Sequence, residues 1–530
     1  MTEAPLPQWF AYAMILGQAI VMVIIVYYLS KLKEIKTAEN YLTAGRNVGV
    51  GMVSASIIAA WVWAATLMFS SWTGFTMGFI GPWWYAIGAA IPLPLFAYMA
   101  ISLKKKMPKV HSYPEFFLYR FDKKTHKLFS IIAFVVSSWV TVMVVTGGSI
   151  TVSTFTGISF STAALIIVIA FTSYTVIGGL YGSIFSDTIQ AIMVFVSLTI
   201  IMLGVYITIG PEAIYNGLVG VMNSKPVLDA GMTVTAQASQ WDPLNILNAV
   251  GIGFLIVNTI GNLGAVFCDQ SYWARAIAAK NIDTAKKAFW AGGLGWAPIP
   301  LAMGTALGVT GLALGLKVGE TYVNGGTSVT FGEAFAIAPT TAFYVLGMTG
   351  LFAFGIAIVS AILSTGSAEL NAIATVFSND IYRRYINPKA ADGKILKVTR
   401  LATIFFAGII LIASELARMS GVSMGFLYLG MGVAFSSAVV PTVLGLLWKD
   451  ASTDGAFWGT IIGAVFGLTY WTSTGFDLDW GVVWGNIIVI SVSAVIHIGH
   501  SLKHPANFDW NTLKSSDIEI KSDAQITVKA

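Results

Sequence analysis

Charge is what this sequence lacks most. Of 530 residues only 10% are Asp, Glu, Lys or Arg, against 56% hydrophobic, and the mean hydropathy is +0.76. An ordinary water-soluble domain carries about 25% charged residues, so that class is excluded. There is one cysteine, Cys268, which rules out an intrachain disulfide, and the five histidines are scattered in loops and near the last apolar run, where they form no structural metal site. The H-E-x-x-H, G-x-S-x-G and P-loop motifs are missing, and one Cys with loop His residues supplies no nucleophile and base pair. No enzyme chemistry, organic cofactor or ATP-driven step is expected of this chain.

What is abundant is long apolar sequence. A membrane span needs about 20 mostly apolar residues, and such runs lie near 9–30, 49–72, 81–103, 128–156, 161–180, 186–209, 246–268, 288–314, 346–378, 399–417, 424–447, 454–472 and 483–500. Thirteen transmembrane helices are expected. The first run has no basic flank before it and no small-residue cleavage site after it, so it reads as a retained helix. With the N-terminus outside and the C-terminus inside, every Lys and Arg falls in an inner segment except Lys225, Lys317 and Arg418. That asymmetry is what the positive-inside rule demands. The net charge of +5 then reflects topology and contact with anionic membrane lipid, and calls for no nucleic-acid partner. The outer stretches near 210–245 and 315–345 read as polar loops, and the tail 501–530 as a mobile segment.

Transporters betray themselves by helices interrupted at mid-membrane, where freed backbone groups can hold an ion or solute. The second run passes from apolar residues into Trp61, Trp63, Thr66, Ser70 and Ser71; the seventh contains Asn258, Gly261, Asn262 and Gly264, which favour an unwound stretch there. Lying five runs apart, they fit the first helices of two inverted five-helix repeats. The layout is then an extra helix and loop at 1–48, repeats at 49–209 and 246–447, extra helices at 448–500 and the tail. The ninth run holds "AILSTGSAELNA", with Ser364, Thr365, Ser367 and a carboxylate, Glu369, at membrane depth. Its hydroxyls with nearby carbonyls suit a small alkali cation, while bonding back to the i−4 carbonyl or gluing helices together is the other reading.

These residues carry a family resemblance. "GGLYGSIFSDTIQ" (178–190) and "STGSAELNAIATVFSNDIYRRY" (364–385) resemble signatures of the sodium:solute symporter family, and "ASIIAAWVWAATLMFSS" (55–71), "GNLGAVFCDQSYWARAIAA" (261–279) and "STGSAEL" are similar to its urea-transporting branch. The resemblance implies an all-α, LeuT-like core of five-plus-five inverted repeats. It also implies a sodium site on the carbonyls of Ala59, Val62 and Ala361 and the hydroxyls of Ser364 and Thr365. In some relatives a second sodium sits beside the membrane Asp, here Asp187 with Ser367 nearby; Asp187 as a gate or a helix-terminus partner is the other reading. For a small planar solute such as urea, with flat faces and four N–H donors, the expected slot is Trp61, Trp63, Thr66, Trp84, Tyr85, Gln270 and Tyr272, although Trp and Tyr also form interfacial belts. No sodium site requires Glu369. It is assigned to the solute or coupling pathway, with a structural hydrogen bond as the alternative.

The expected function is therefore secondary active symport of urea with sodium by alternating access in a cell membrane. Another small solute (an amide, polyamine, short carboxylate or amino acid), proton coupling, and a passive channel or transport-like sensor stay open at this point. No signalling domain follows the last run, which argues against the sensor.

Overall fold

The computed structural model describes residues 6–32, 35–223, 242–247, 249–324, 326–330 and 336–513. Parts of the outer loop (224–241) and of the tail (514–530) expected above lie outside these residues. Helix α1 is Gln8–Leu32; α2 (Val50–Trp61) and α3 (Ala64–Met77) are the two pieces of a bent span; α4 (Ile80–Ala90) and α5 (Pro92–Lys106) follow. After the short α6 (Tyr113–Arg120) come the long α7 (Lys123–Thr156) and α8 (Phe160–Thr208). The second half holds α9 (Ala249–Phe267), α10 (Gln270–Ala278), α11 (Ile282–Trp296), α12 (Ile337–Thr375), α13 (Asp392–Met419), α14 (Met424–Phe435), α15 (Val439–Leu447), α16 (Thr453–Ser473) and α17 (Trp480–Lys503).

Helix is the form such sequences must take, since in hydrocarbon every backbone N–H and C=O needs an internal partner. Helix starts are written in the sequence as well: Ser112, Asp122, Ser159, Asp269, Asn281, Ser423 and Ser452 each accept a backbone N–H from the first turn of the helix they open. Among the described residues, ten helices are long and apolar enough to cross a membrane, eleven with the bent α2–α3 pair.

Two expected spans, 161–180 and 186–209, run together in α8. A straight helix of its 49 residues would be about 70 Å long, over twice the hydrocarbon thickness. It reverses at Gly179, the one residue inside it with non-helical angles (φ 52°, ψ −144°). Tyr174 donates to the Leu363 carbonyl and Asp187 accepts from Ser364, so residues on both sides of Gly179 bond one turn of α12. Along an unbroken helix they would lie about 20 Å apart.

α12 is the hub, with every residue from Ala357 to Val376 buried. The loops rich in Lys and Arg gather at one end of the bundle: Arg46 donates to the carbonyls of Pro108, Lys109 and Val110, Arg120 to those of Trp448, Lys449 and Ala451, and Arg384 to Glu115.

Three expectations need correction. α9 is continuous through Asn258 and Gly264; the backbone breaks later, at Cys268–Asp269. Arg275, counted above among inner-loop charges, is fully buried. The stretches expected to be outer polar loops contain regular structure, a helix at Pro211–Asn223 and an antiparallel hairpin pairing β1 (Thr321–Asn324) with β2 (Thr327–Thr330).

Candidate functional site

The site grows from the α2–α3 break. Val62 (ψ 91°) and Trp63 (ψ 160°) leave helical geometry, and the two pieces meet at 55°. Thr66 stabilises the break by accepting the Trp63 N–H at 3.1 Å. The freed carbonyls are taken up from the side. The Trp296 indole donates to Trp61 O at 2.8 Å, the Trp63 indole to Ala60 O at 3.0 Å, and Thr365 Oγ1 lies 3.3 Å from Ala60 O and 3.5 Å from Val62 O. Ser364 donates its one hydroxyl proton to Asp187 at 2.7 Å, leaving its oxygen lone pairs free. Hydroxyl and carbonyl oxygens therefore converge on the break, a donor set that suits a hard monovalent cation.

Asp187 is already matched. Arg275 donates to it at 2.8 Å, Ser56 Oγ at 2.6 Å, and both charged side chains are 0% exposed. Ser367 donates to the Ser364 carbonyl and hydrogen-bonds with Ser183, so its oxygen is engaged within the helix pair.

Beside the break, aromatic rings pack against one another in a cluster, an aromatic box. Trp61 packs edge-on against Trp63 (4.8 Å) and Tyr272 (5.2 Å), while Tyr85 stacks on Tyr428 at 5.6 Å and on Trp296 at 6.3 Å. The Trp61 indole donates to Ala89 O. The structure thus brings together Trp61, Trp63, Thr66, Tyr85 and Tyr272. It places Trp84 elsewhere, donating to Ile246 O, and Gln270 toward the basic end, accepting the Tyr113 N–H. Tyr428 and Trp296 were missed by the sequence reading. Tyr428 donates to Asn258, whose amide bonds the Trp84 and Tyr85 carbonyls, so the polar residues expected to unwind α9 hold the box instead. A cavity of about 290 Å³, lined by Ala64, Met68, Thr146, Thr151, Arg418 and Met424, reaches the break from the end opposite the basic loops.

Glu369 faces the α9–α10 break. Ser271 Oγ lies 2.9 Å from Glu369 Oε1 and 3.0 Å from Asp269 Oδ2, and Asp269 Oδ1 accepts from Ser137 and from the Ser271 N–H.

An apolar multi-pass bundle with a broken helix at its buried centre, reached by a cavity from one end, is a membrane transporter. Residues 41–463 match the sodium:solute symporter family, and the chain belongs to that family. It is 31% identical to the urea-proton symporter DUR3 of Oryza sativa subsp. japonica over 98% of this chain and 74% of that one. To the urea active transporter of Saccharomyces cerevisiae it is 32% identical, over 97% and 71%. The solved structure of a Na+-coupled sialic acid symporter, in a substrate-bound outward-open state, matches with TM-score 0.74 at 22% identity, covering 93% of this chain and 98% of that one. The fold is the LeuT-like bundle, and the chain is an integral membrane symporter of a solute.

Proposed function

We propose that the solute is urea, seated in the aromatic box, and that a sodium ion binds at the α2 break on the carbonyls of Ala59, Val62 and Ala361 and the hydroxyls of Ser364 and Thr365. The observation that carries this reading is the convergence of Thr365 and the freed Ala60 and Val62 carbonyls at a helix break beside six aromatic rings. Urea needs flat apolar walls and a few acceptors, and the box offers rings with Thr66 and the break carbonyls. The breaks at Val62–Trp63 and Cys268–Asp269 suit the first helices of the two repeats, 49–209 and 246–447, with the basic end inside. A second ion at Asp187 is not part of this reading, because Arg275 supplies its counter-charge.

Sodium dependence of uptake tests the ion site. Ser364→Ala and Thr365→Ala should each raise the sodium concentration for half-maximal urea uptake by about tenfold, the loss of one net ligand interaction of about 1.4 kcal/mol. An unchanged sodium response in the double variant would reject the site. A second reading, with a proton as the coupling ion, is favoured by the buried carboxyl of Glu369 and by the activity named for the rice relative.

A further inference from the structure

The α9–α10 break holds two buried carboxyl groups with no cation bonded to either. Arg275, on the same short helix, spends its guanidinium on Asp187, Ser56 and the Ser271 carbonyl. The other titratable groups around the pair are Tyr272 on α10, Cys268 in the break, Tyr113 on α6 and Asp187 on α8. All are buried, and only Arg275 among them is a cation.

Hydrogen-bond stoichiometry then decides how the carboxyls coexist. Ser271 has one hydroxyl proton, yet its oxygen lies within hydrogen-bonding distance of an oxygen of each carboxyl group. Asp269 has two donors of its own, the Ser137 hydroxyl and the Ser271 N–H at the start of α10, and the Ser271 hydroxyl is a third when its proton turns that way. Those bonds and the helix N-terminus suit its ionised form. Apart from that same Ser271 hydroxyl Glu369 has no donor, and none at all once the proton is turned to Asp269. Its Oε2 is buried without a partner, and its Oε1 meets Ser271 Oγ at 2.9 Å, a contact that becomes a hydrogen bond only if Glu369 brings the proton. Two like charges sharing one hydroxyl in a low-dielectric site are not both tolerated.

We propose that Asp269, Ser271 and Glu369 form the binding site of the co-transported proton: Glu369 carries it, Ser271 relays the hydrogen bond, and Asp269 supplies the fixed negative charge. This inference rests on the second reading above, of a urea symporter coupled to protons. The site is separate from the α2 break. It lies on α12 one turn beyond Thr365 and on the helix that carries Tyr272, whose hydroxyl is 3.4 Å from the Ala60 carbonyl at that break. Movement of α10 against α12 during opening pulls Ser271 from Glu369 and exposes the acid to water, where its proton leaves. Ser271 is a positioning residue in this scheme.

The test uses the full chain in proteoliposomes containing a trapped pH dye, with labelled urea and an acid-outside gradient. The wild type should accumulate urea and acidify the lumen when urea is added. Glu369→Gln and Asp269→Asn should each lose at least tenfold of both signals, while still exchanging labelled for unlabelled urea at equal pH. Ser271→Ala should lose part, with Ser271→Thr restoring it. Wild-type urea-dependent acidification in Glu369→Gln overturns the proposal, as does wild-type accumulation that ignores the pH gradient and follows sodium alone. If both carboxamide variants melt like the wild type yet exchange no urea, the pair serves solute passage rather than proton binding, and the proposal is again overturned. A wild type that exchanges no urea at all refutes the urea reading itself.

Discussion

Asp187 and Arg275 show what a single residue can and cannot reveal before folding. An Asp in an apolar run is conspicuous, and the sequence marks Asp187 as a candidate ion or coupling position. Arg275, 88 residues away in sequence, looked like one more basic residue near a helix end. Their pairing is a property of the packed bundle. So is the role of Asp269, which sits beside Cys268 with no local pattern pointing to Glu369, although the Asp-x-Ser of a helix start was there to be read. Ser364, Thr365 and Trp61 stood out because hydroxyls crowd one helical turn beside a carboxylate and two tryptophans lie two residues apart, and the structure gathers them at the α2 break. Removing one member of a buried pair strands the other. Asp187→Asn should therefore destabilise the protein by about 3–5 kcal/mol, read as a lower melting temperature in detergent. Asp187→Leu with Arg275→Met, which removes both charges, should recover most of that loss. Equal loss in the double variant would show that the side chains matter by shape.

At the scale of elements, apolar runs marked the helices, and breaks were harder to place. Asn258 and Gly264 read as unwinding residues because propensity scales describe helices without partners. Here Asn258 donates to the Trp84 and Tyr85 carbonyls and accepts from Tyr428, and Asn262 donates back to Asn258 within the helix, so both amides are satisfied with α9 wound. The Gly-Gly of "GGLYGS" turned out to be the reversal inside α8. A side chain at Gly179 would face a positive φ and place Cβ 2.6 Å from the Tyr41 carbonyl. Gly179→Ala should cost about 1–3 kcal/mol and lower the yield of folded protein; an unaltered melting curve would mean that the hairpin relaxes freely.

The loops of the basic end are tied by Glu39, His111, Glu115 and Arg384. Burial pulls His111 down, but Glu115 and Glu39 outweigh it and hold the imidazole at about 9, against an ordinary 6.5. Burial likewise raises Glu39, yet hydrogen bonding and charge from His111, with Arg46, bring it to about 2 from 4.5. The His111 contribution is complete below pH 6.5 and is lost as pH rises through about 9; that of Glu39 is complete above 4.5 and is lost as pH falls toward 2. The tie is therefore strongest between about pH 4.5 and 6.5. Raising the pH from 6.5 to 9 should lower the melting temperature of the wild type more than that of His111→Gln. Parallel curves would remove His111 from the tie.

As a whole molecule the chain has two unlike ends. The basic end is closed by side-chain bonds among its loops, while a cavity opens from the other end to the α2 break. Under the proposed function, an arrangement closed on one side of the break and open on the other corresponds to one half of an alternating-access cycle. A passive pore would need a continuous path. The measurement that tests this most directly is labelled-urea uptake into proteoliposomes under an imposed inward sodium or proton gradient. The account predicts that urea rises inside above its outside concentration and falls back when an ionophore collapses the gradient. Uptake that stops at equal concentrations, with or without the gradient, would contradict it.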